Sequence, residues 1–178
     1  MLQLNKIESQ ASPYWDSLAL VYHTSFPIDE QRPIEDITRL IEHDLRFIAY
    51  AITDDSDTFV GMLTTWHFDE FIYIEHFAIV PALRSQGYGS KALQTYIATQ
   101  RKPIILEAEP PTDDITHRRI QFYQRSGLTL HEYPYIQPAY TPERNPVPLR
   151  LMGTINTEII SLPHITMTLH REVYGVQE

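Results

Sequence analysis

Hydrophobic residues along this chain follow two periods, which divide it into predicted strands and helices. Segments rich in β-branched and aromatic residues predict strands, and apolar positions at helical spacing predict helices. The predicted strands are 2–7, 45–53, 59–68, 71–80, 104–109 and 149–153. The predicted helices are 13–25, 33–43, one that follows Gly89 and runs to 98, one that is capped by residues 112–114 and runs to about 126, and 166–174. Gly127 is expected in the left-handed position after the fourth helix, and the polar connection 28–32 is predicted to be exposed. Residues 133–148 hold five prolines and are predicted to be irregular. The chain thus mixes predicted strands and helices, and the expected fold class is α/β (α+β).

Phe71–Val80 is apolar on both alternating faces except at Glu75 and His76. A strand buried between two layers has this pattern. Strand alternation places the two exceptions on opposite faces, and His76 is predicted to be a buried histidine with satisfied hydrogen bonds.

Two glycines, Gly87 and Gly89, separate this strand from the next helix. Glycine lets backbone N–H groups approach a ligand, and a helix N-terminus carries partial positive charge. A phosphate is therefore the expected guest, and Arg84 and Lys91 flank the loop. The alternative is an ordinary helix N-terminus with permissive glycines.

Other phosphate-binding patterns fit less well. The P-loop needs Gly-Lys-Ser/Thr, which the segment 89–92 lacks. The dinucleotide fingerprint matches the spacing of residues 87–92, with Glu107 at a suitable distance. Six residues nevertheless separate Val80 from Gly87, and no further parallel βαβ units follow.

Two short motifs carry a resemblance to a known family. Residues 84–89, RSQGYG, match the pattern Arg/Gln-x-x-Gly-x-Gly/Ala, and residues 122–128, FYQRSGL, end a predicted helix at a glycine. Both resemble signatures of the GNAT acyltransferase superfamily in its bacterial form. The resemblance implies a mixed, mostly antiparallel, splayed sheet flanked by helices, and a single domain over 1–178. It covers residues 45–128 well.

Net charge and the absence of cysteine limit which partners and reactions this protein can have. The net charge of −9 argues against nucleic acid or anionic membranes as partners and is compatible with an amine substrate. The absence of cysteine excludes disulfides and thiolate catalysis in this sequence. With no signal peptide or membrane span recognised, the expected location is cytoplasmic.

The resemblance implies a binding site for acetyl-CoA. The glycine loop would hold its pyrophosphate, and the end of the preceding strand would pair with its pantetheine arm through backbone groups. The implied residues are Gln86, Gly87, Tyr88, Gly89 and Ser90 on the loop, Phe77, Ile79 and Val80 on the strand, and Arg84 beside them.

Tyr123 and Glu75 are the candidate catalytic residues. Tyr123 matches the family's tyrosine and would protonate the departing thiolate, unless it serves only in packing. Glu75 would deprotonate the amine through water. The alternatives for Glu75 are an ion pair with an arginine such as Arg118 or Arg119, or an exposed side chain at a sheet edge.

Glu107 and Glu109 share one face of their predicted strand. They could attract a cationic acceptor together with Glu75, or could pair with Arg118 and Arg119. No histidines stand at i, i+4 on a predicted helix, so no metal is predicted.

These features predict an acetyl-CoA-dependent N-acetyltransferase acting on a primary amine, small or peptidic, by direct transfer in a ternary complex. The expected partners are acetyl-CoA and the acceptor, with a homodimer left open. A non-catalytic CoA-binding module and a nucleotide-binding oxidoreductase are the rival interpretations.

Overall fold

An eight-stranded sheet forms the centre of the protein, for which a computed structural model describes residues 2–176. Its strands follow the order β1-β2-β3-β4-β5-β8-β6, with β7 paired to β8. All pairings are antiparallel except that of β4 with β5. The strands are β1 Gln3–Ile7, β2 Phe47–Thr53, β3 Phe59–His67, β4 Ile72–Ile79, β5 Ile104–Ala108, β6 Thr129–Leu130, β7 Tyr135–Gln137 and β8 Val147–Gly153.

Helices cover both faces of the sheet. They are α1 Trp15–Ser25, α2 Ile34–His43, α3 Tyr88–Thr99, α4 Asp114–Arg125 and α5 Leu162–Thr168. One apolar cluster packs α1, α2 and α5 on one face, and a second packs α3 and α4 on the other. Strand β4 contributes to both clusters, so the prediction of a strand buried between two layers is confirmed.

Strands β4 and β5 pair over only three positions. Ile72 pairs with Ile104, Tyr73 with Ile105, and Ile74 with Leu106. Beyond these positions β4 continues along β3, whereas β5 continues along β8. The sheet therefore splits in its middle, as the predicted splayed sheet requires.

A β-bulge lies where the split begins. Thr64 stands opposite His76 and Thr65 opposite Ile74, so Glu75 has no partner in β3. A bulge interrupts the alternation of side chains. His76 and Glu75 consequently face the same side of the sheet, and Tyr140 contacts both of them. The prediction of opposite faces was wrong, whereas the predicted buried, hydrogen-bonded histidine is confirmed.

The connection between α1 and α2 anchors to this bulge. Residues 28–32 were predicted to be exposed, but Arg32 is only 8% exposed. Its Nη2 lies 2.7 Å from Oε1 of Glu75, and its Nε lies 3.1 Å from the same oxygen. The predicted alternative of an ion pair between Glu75 and an arginine is therefore confirmed, but the partner is Arg32 and not Arg118 or Arg119.

Several predicted element bounds need correction. Helix α1 starts at Trp15 rather than at Pro13. The segment 133–148 is not wholly irregular, because it contains β7 and the start of β8. The terminal helix starts at Leu162, ends as α-helix at Thr168 and continues as a π-helical turn over Leu169–Val173. The predicted cap at Asp113 and the left-handed Gly127, with φ 94°, are confirmed.

The buried ion pair gives a stability prediction. Arg32→Met leaves the Glu75 carboxylate buried without a cation, so we expect a loss of about 3–5 kcal/mol in the free energy of unfolding at pH 7. The arginine holds the pKa of Glu75 below its ordinary value despite burial. Without Arg32 that pKa rises, so the difference from wild type should narrow as the pH falls toward ~4.3, the unfolded value.

Urea denaturation measures both effects. The control is Arg39→Met, since Arg39 forms an exposed pair with Asp36 and should cost at most about 1 kcal/mol. Adding Glu75→Gln to Arg32→Met should recover part of the loss. Equal losses for the two single arginine variants would contradict the prediction.

Candidate functional site

A cavity of about 700 Å³ opens where β4 and β5 separate. It brings together most of the residues predicted for cofactor binding and catalysis: Glu75, Phe77, Ile79, Arg84, Gly87, Gly89, Ser90 and Tyr123 line it. Val80, Gln86 and Tyr88 lie outside this lining. The motifs at residues 84–89 and 122–128, which are far apart in the sequence, therefore line the same cavity.

The glycine loop presents free backbone amides to this cavity. Gly87 adopts φ 84° and precedes α3 without any side-chain cap. The first hydrogen bond of α3 runs from the amide of Lys91 to Gly87 O, at 3.1 Å. The N–H groups of residues 87–90 lie before this bond in the chain. The first amides of a helix have no partner within it. A Cβ on Gly89 would lie 3.4–3.5 Å from Phe122 and Ile79, so the loop packs closely against its neighbours.

The edge of β4 offers backbone groups to the split. The amides of His76 and Val80 donate toward β3, to Thr64 Oγ1 and Val60 O. By alternation, the polar backbone groups of Phe77 and Ile79 face the other way, into the split.

Val80 and Arg84 are already engaged within the protein. The amide of Val80 donates to Val60 O, and its carbonyl accepts from the amide of Leu83. Arg84 donates from Nε to Ile79 O at 3.1 Å and from Nη2 to Ser25 Oγ at 3.0 Å. Arg84 thereby ties the glycine loop to β4 and α1.

Tyr123 lines the cavity from α4, beside the stacked rings of Phe77 and Phe122, whose centroids are 6.4 Å apart. Its hydroxyl forms no hydrogen bond with any other residue among 2–176. Burial raises its pKa, as does the charge of Glu30, while Arg119 opposes the rise. The hydroxyl therefore keeps its proton at neutral pH.

The side chain of Glu75 is 0% exposed. Besides Arg32, its carboxylate accepts hydrogen bonds from Trp66 Nε1 at 2.8 Å and from the Tyr140 hydroxyl at 2.7 Å. Burial disfavours the charged form, but the charges of Arg32 and His76 and the hydrogen bonds from Tyr140 and Arg32 outweigh it, so the pKa of Glu75 lies below its ordinary value. A strongly hydrogen-bonded carboxylate with a low pKa is a weak base.

Glu107 is held very differently. Its carboxylate accepts from the hydroxyls of Tyr135 and Tyr174, the latter at 2.9–3.0 Å. The hydroxyl of Tyr73 lies 3.0 Å from that of Tyr174. Burial raises the pKa of Glu107 to about 7, and the tyrosine hydrogen bonds only partly offset this rise.

Glu109, two residues further on, forms an ion pair with Arg119. Of the two alternatives predicted for these glutamates, the structural pair is confirmed for Glu109. Sequence reasoning did not find the tyrosines around Glu107. The tyrosines of the segment 133–148 were the available signal, because aromatic residues between prolines indicated a packed segment.

Residues 138–146 fold over the same side of the site. The amide of Asn145 donates to Asp29 Oδ1 at 2.9 Å, and Gln137 Nε2 donates to Asp29 O at 3.1 Å. The guanidinium carbon of Arg32 lies 4.8 Å from the ring centroid of Tyr140. This segment is thereby fixed to the turn Ile28–Glu30.

Within residues 2–176, no group of three or more histidine, aspartate or glutamate side chains is arranged to hold a metal ion. No helix in that range is long and apolar enough to cross a membrane.

Comparison with known proteins places these features in one family. The family model described as "Acetyltransferase (GNAT) family" matches residues 12–128. A curated protein of Bacillus subtilis (strain 168), "Putative acetyltransferase YjbC", is 31% identical over 102 residues, which are 56% of this chain and 50% of that protein. The chain thus spans about half the length of that relative.

Solved structures agree with this placement. A "Putative acetyltransferase from GNAT family" of Bacteroides thetaiotaomicron is 35% identical, covers 98% of this chain and 99% of its own, and superposes with a TM-score of 0.92. A dodecameric spermidine N-acetyltransferase of Vibrio cholerae shares the fold alone, with 12% identity, coverage of 90% and 96%, and a TM-score of 0.57.

The family model matches residues 12–128, and the structure has the glycine loop and the split sheet that the resemblance predicted. This chain therefore belongs to the GNAT family of acetyltransferases.

Proposed function

We propose that this protein is an acetyl-CoA-dependent N-acetyltransferase that acetylates a primary amine by direct transfer in a ternary complex. The observation that carries the proposal is the single cavity, which joins a loop of free amides to a proton-donating tyrosine and a carboxylate-rich wall. We further infer a single domain over residues 1–178 and a cytoplasmic location.

The cofactor side of the cavity suits the diphosphate and arm of coenzyme A. The free amides at residues 87–90 and the helix N-terminus favour an anion. The arm would run along β4 and pair with the backbone of Phe77 and with the amide of Ile79, whose carbonyl already accepts from Arg84, as an added strand does. Val80 takes no part in this pairing, because its backbone groups are already bonded. The thioester then lies near the point where β4 and β5 part.

The opposite side of the cavity suits a cationic acceptor. Glu30, Glu75, Glu107 and Glu109 line it, against Arg84, Arg119 and Arg125. Glu30 forms no ion pair among residues 2–176 and is half-buried, and burial raises its pKa. A primary ammonium would gain favourable charge interactions here.

Direct transfer needs a proton for the departing thiolate. Tyr123 lines the cavity, and its hydroxyl holds its proton at neutral pH and forms no hydrogen bond with another residue among 2–176, so it can supply that proton. The sequence contains no cysteine to carry the acetyl group. The acceptor amine therefore attacks the thioester itself.

Glu75 holds the site together in this proposal and does not act as the base. Its carboxylate is fully buried and receives hydrogen bonds from three side chains. It fixes Arg32 and Tyr140 at the bulge.

An acetyl-transfer assay with mass detection tests the function. Wild-type protein with acetyl-CoA should acetylate at least one of putrescine, spermidine, tyramine and glycyl-lysyl-glycine. Coenzyme A bound without any transfer across such a panel would favour a non-catalytic CoA-binding module. Thermal protection by NAD, with none by coenzyme A, would favour an oxidoreductase.

Gly87→Glu should abolish binding of coenzyme A in calorimetry, because the new carboxylate repels the diphosphate at the loop. Gly175→Glu is the matched control: Gly175 also has a positive φ, 69°, and open space around it, but lies outside the cavity lining. Equal affinity of the Gly87 variant and wild type would contradict the loop assignment.

Tyr123→Phe should lower kcat by about 100-fold or more, with little change in affinity for coenzyme A, if the hydroxyl is the general acid. Steady-state kinetics and calorimetry measure the two quantities. Tyr50→Phe, which removes a half-buried hydroxyl outside the cavity lining, should keep wild-type turnover. Wild-type turnover in the Tyr123 variant would exclude this hydroxyl from the reaction.

A further inference from the structure

Glu107 is a carboxylate at the apex of the split that the mechanism above does not use. It is the first residue of β5 beyond the last pair with β4, Ile74 with Leu106. It lines the same cavity as Tyr123. A molecule held in the cavity can therefore reach it.

Hydroxyl groups, and no cation, surround Glu107. No lysine, arginine or histidine among residues 2–176 forms an ion pair with it, and the nearby Arg119 pairs with Glu109. The titratable groups that face it come from β4, β7, the segment 138–146 and the C-terminal segment: Tyr73, Glu75, Tyr135, Tyr140 and Tyr174.

The hydrogen-bond geometry leaves room for a proton on Glu107. Oε1 accepts from Tyr135 and Tyr174, and Oε2 lies 2.9 Å from the Tyr174 hydroxyl. A hydroxyl carries one proton, so Tyr174 can donate to only one of the two oxygens at a time. The oxygen to which Tyr174 does not donate can accept a proton from another donor.

We propose that Glu107 is the general base that removes a proton from the acceptor ammonium before it attacks the thioester. The inference rests on the N-acetyltransferase function proposed above. Glu75 does not suit this role, because its carboxylate is paired with Arg32 and also accepts hydrogen bonds from Trp66 and Tyr140. Tyr135 and Tyr174 are positioning residues that hold the Glu107 carboxylate.

The ammonium gives one proton to Glu107, and the neutral amine then forms an N–C bond with the acetyl carbonyl carbon. The C–S bond breaks, the thiolate takes the proton of Tyr123, and the amide nitrogen returns its remaining excess proton to that tyrosine. Glu107 releases its proton to solvent, so the net products are the amide, coenzyme A and one proton.

The raised pKa of Glu107, about 7, suits this task. A base is most effective when its pKa lies near the working pH. Activity should fall as the pH drops below about 7, because Glu107 becomes protonated.

The test is the pH profile of kcat/KM for Glu107→Gln, measured with the amine of the above panel that wild type acetylates fastest. At pH 7 we expect a loss of about 100-fold or more. The fall in kcat/KM below about pH 7, the acidic limb of the profile, should disappear. Instead kcat/KM should rise about tenfold per pH unit toward ~10, where a primary amine loses its proton unaided.

Glu70→Gln is the matched control: the exposed carboxylate of Glu70 contacts His164 outside the cavity that holds Glu107, so the same change there should keep the limb in place. Tyr174→Phe is the second variant: removing a hydrogen bond that favours the carboxylate raises the pKa of Glu107 further, so the limb should move to higher pH. Calorimetry with coenzyme A, together with circular dichroism, shows whether each variant is folded.

The outcomes separate the two proposals. Wild-type transfer with an unaltered acidic limb in folded Glu107→Gln would overturn the role of Glu107 and leave the function standing. A loss of equal size at every pH would also overturn it, because it would indicate a structural residue. Wild-type protein that neither binds coenzyme A nor transfers acetyl would overturn both.

Discussion

The separation of β4 from β5 after only three paired positions is the constraint on which the rest of the structure depends. Beyond Ile74 the inner edge of β4 no longer pairs with β5. Unpaired backbone groups in a protein interior are costly. The fold tolerates them because the strands diverge around a cavity, where water or a ligand can satisfy the edge. The open edge is thus both a cost to stability and the basis of a binding site.

The bulge at Glu75 stabilises this opening. An extra residue turns Glu75 and His76 to the same side, where each fixes the connection between α1 and α2: Glu75 binds Arg32, and His76 Nε2 contacts Glu30 O at 2.9 Å. The hydroxyl of Tyr140 donates to the same Glu75 carboxylate and so connects the segment 138–146 to the bulge. A single irregularity in β4 therefore organises two segments that approach from far along the chain.

The sequence predicted the features that depend on local chemistry. The buried strand, the glycine loop, the cap at Asp113 and Gly127 each follow from residues close together in the chain, and the structure has them. The splayed sheet came from the family resemblance, which carries information that periodicity lacks.

The missed features depend on contacts between distant residues. Arg32 lies 43 residues before its partner Glu75, and nothing around it indicates burial. The bulge is invisible to alternation, which assumes a regular strand. The environment of Glu107 is built by tyrosines from three separate segments, so its character could not be predicted from β5 alone.

Glu75 and Glu107 show how one fold gives two identical side chains different chemistry. They are the first residues beyond the last β4–β5 pair, one on each strand, and both are shielded from bulk water. A cation beside Glu75 lowers its pKa, whereas hydroxyls alone leave the pKa of Glu107 raised to about 7. Paired carboxylates whose environments separate their pKa values are a recurring arrangement in acid–base catalysis. A permanently charged Glu75 also disfavours a second negative charge nearby, so the ion pair that stabilises the bulge helps to keep Glu107 ready to accept a proton.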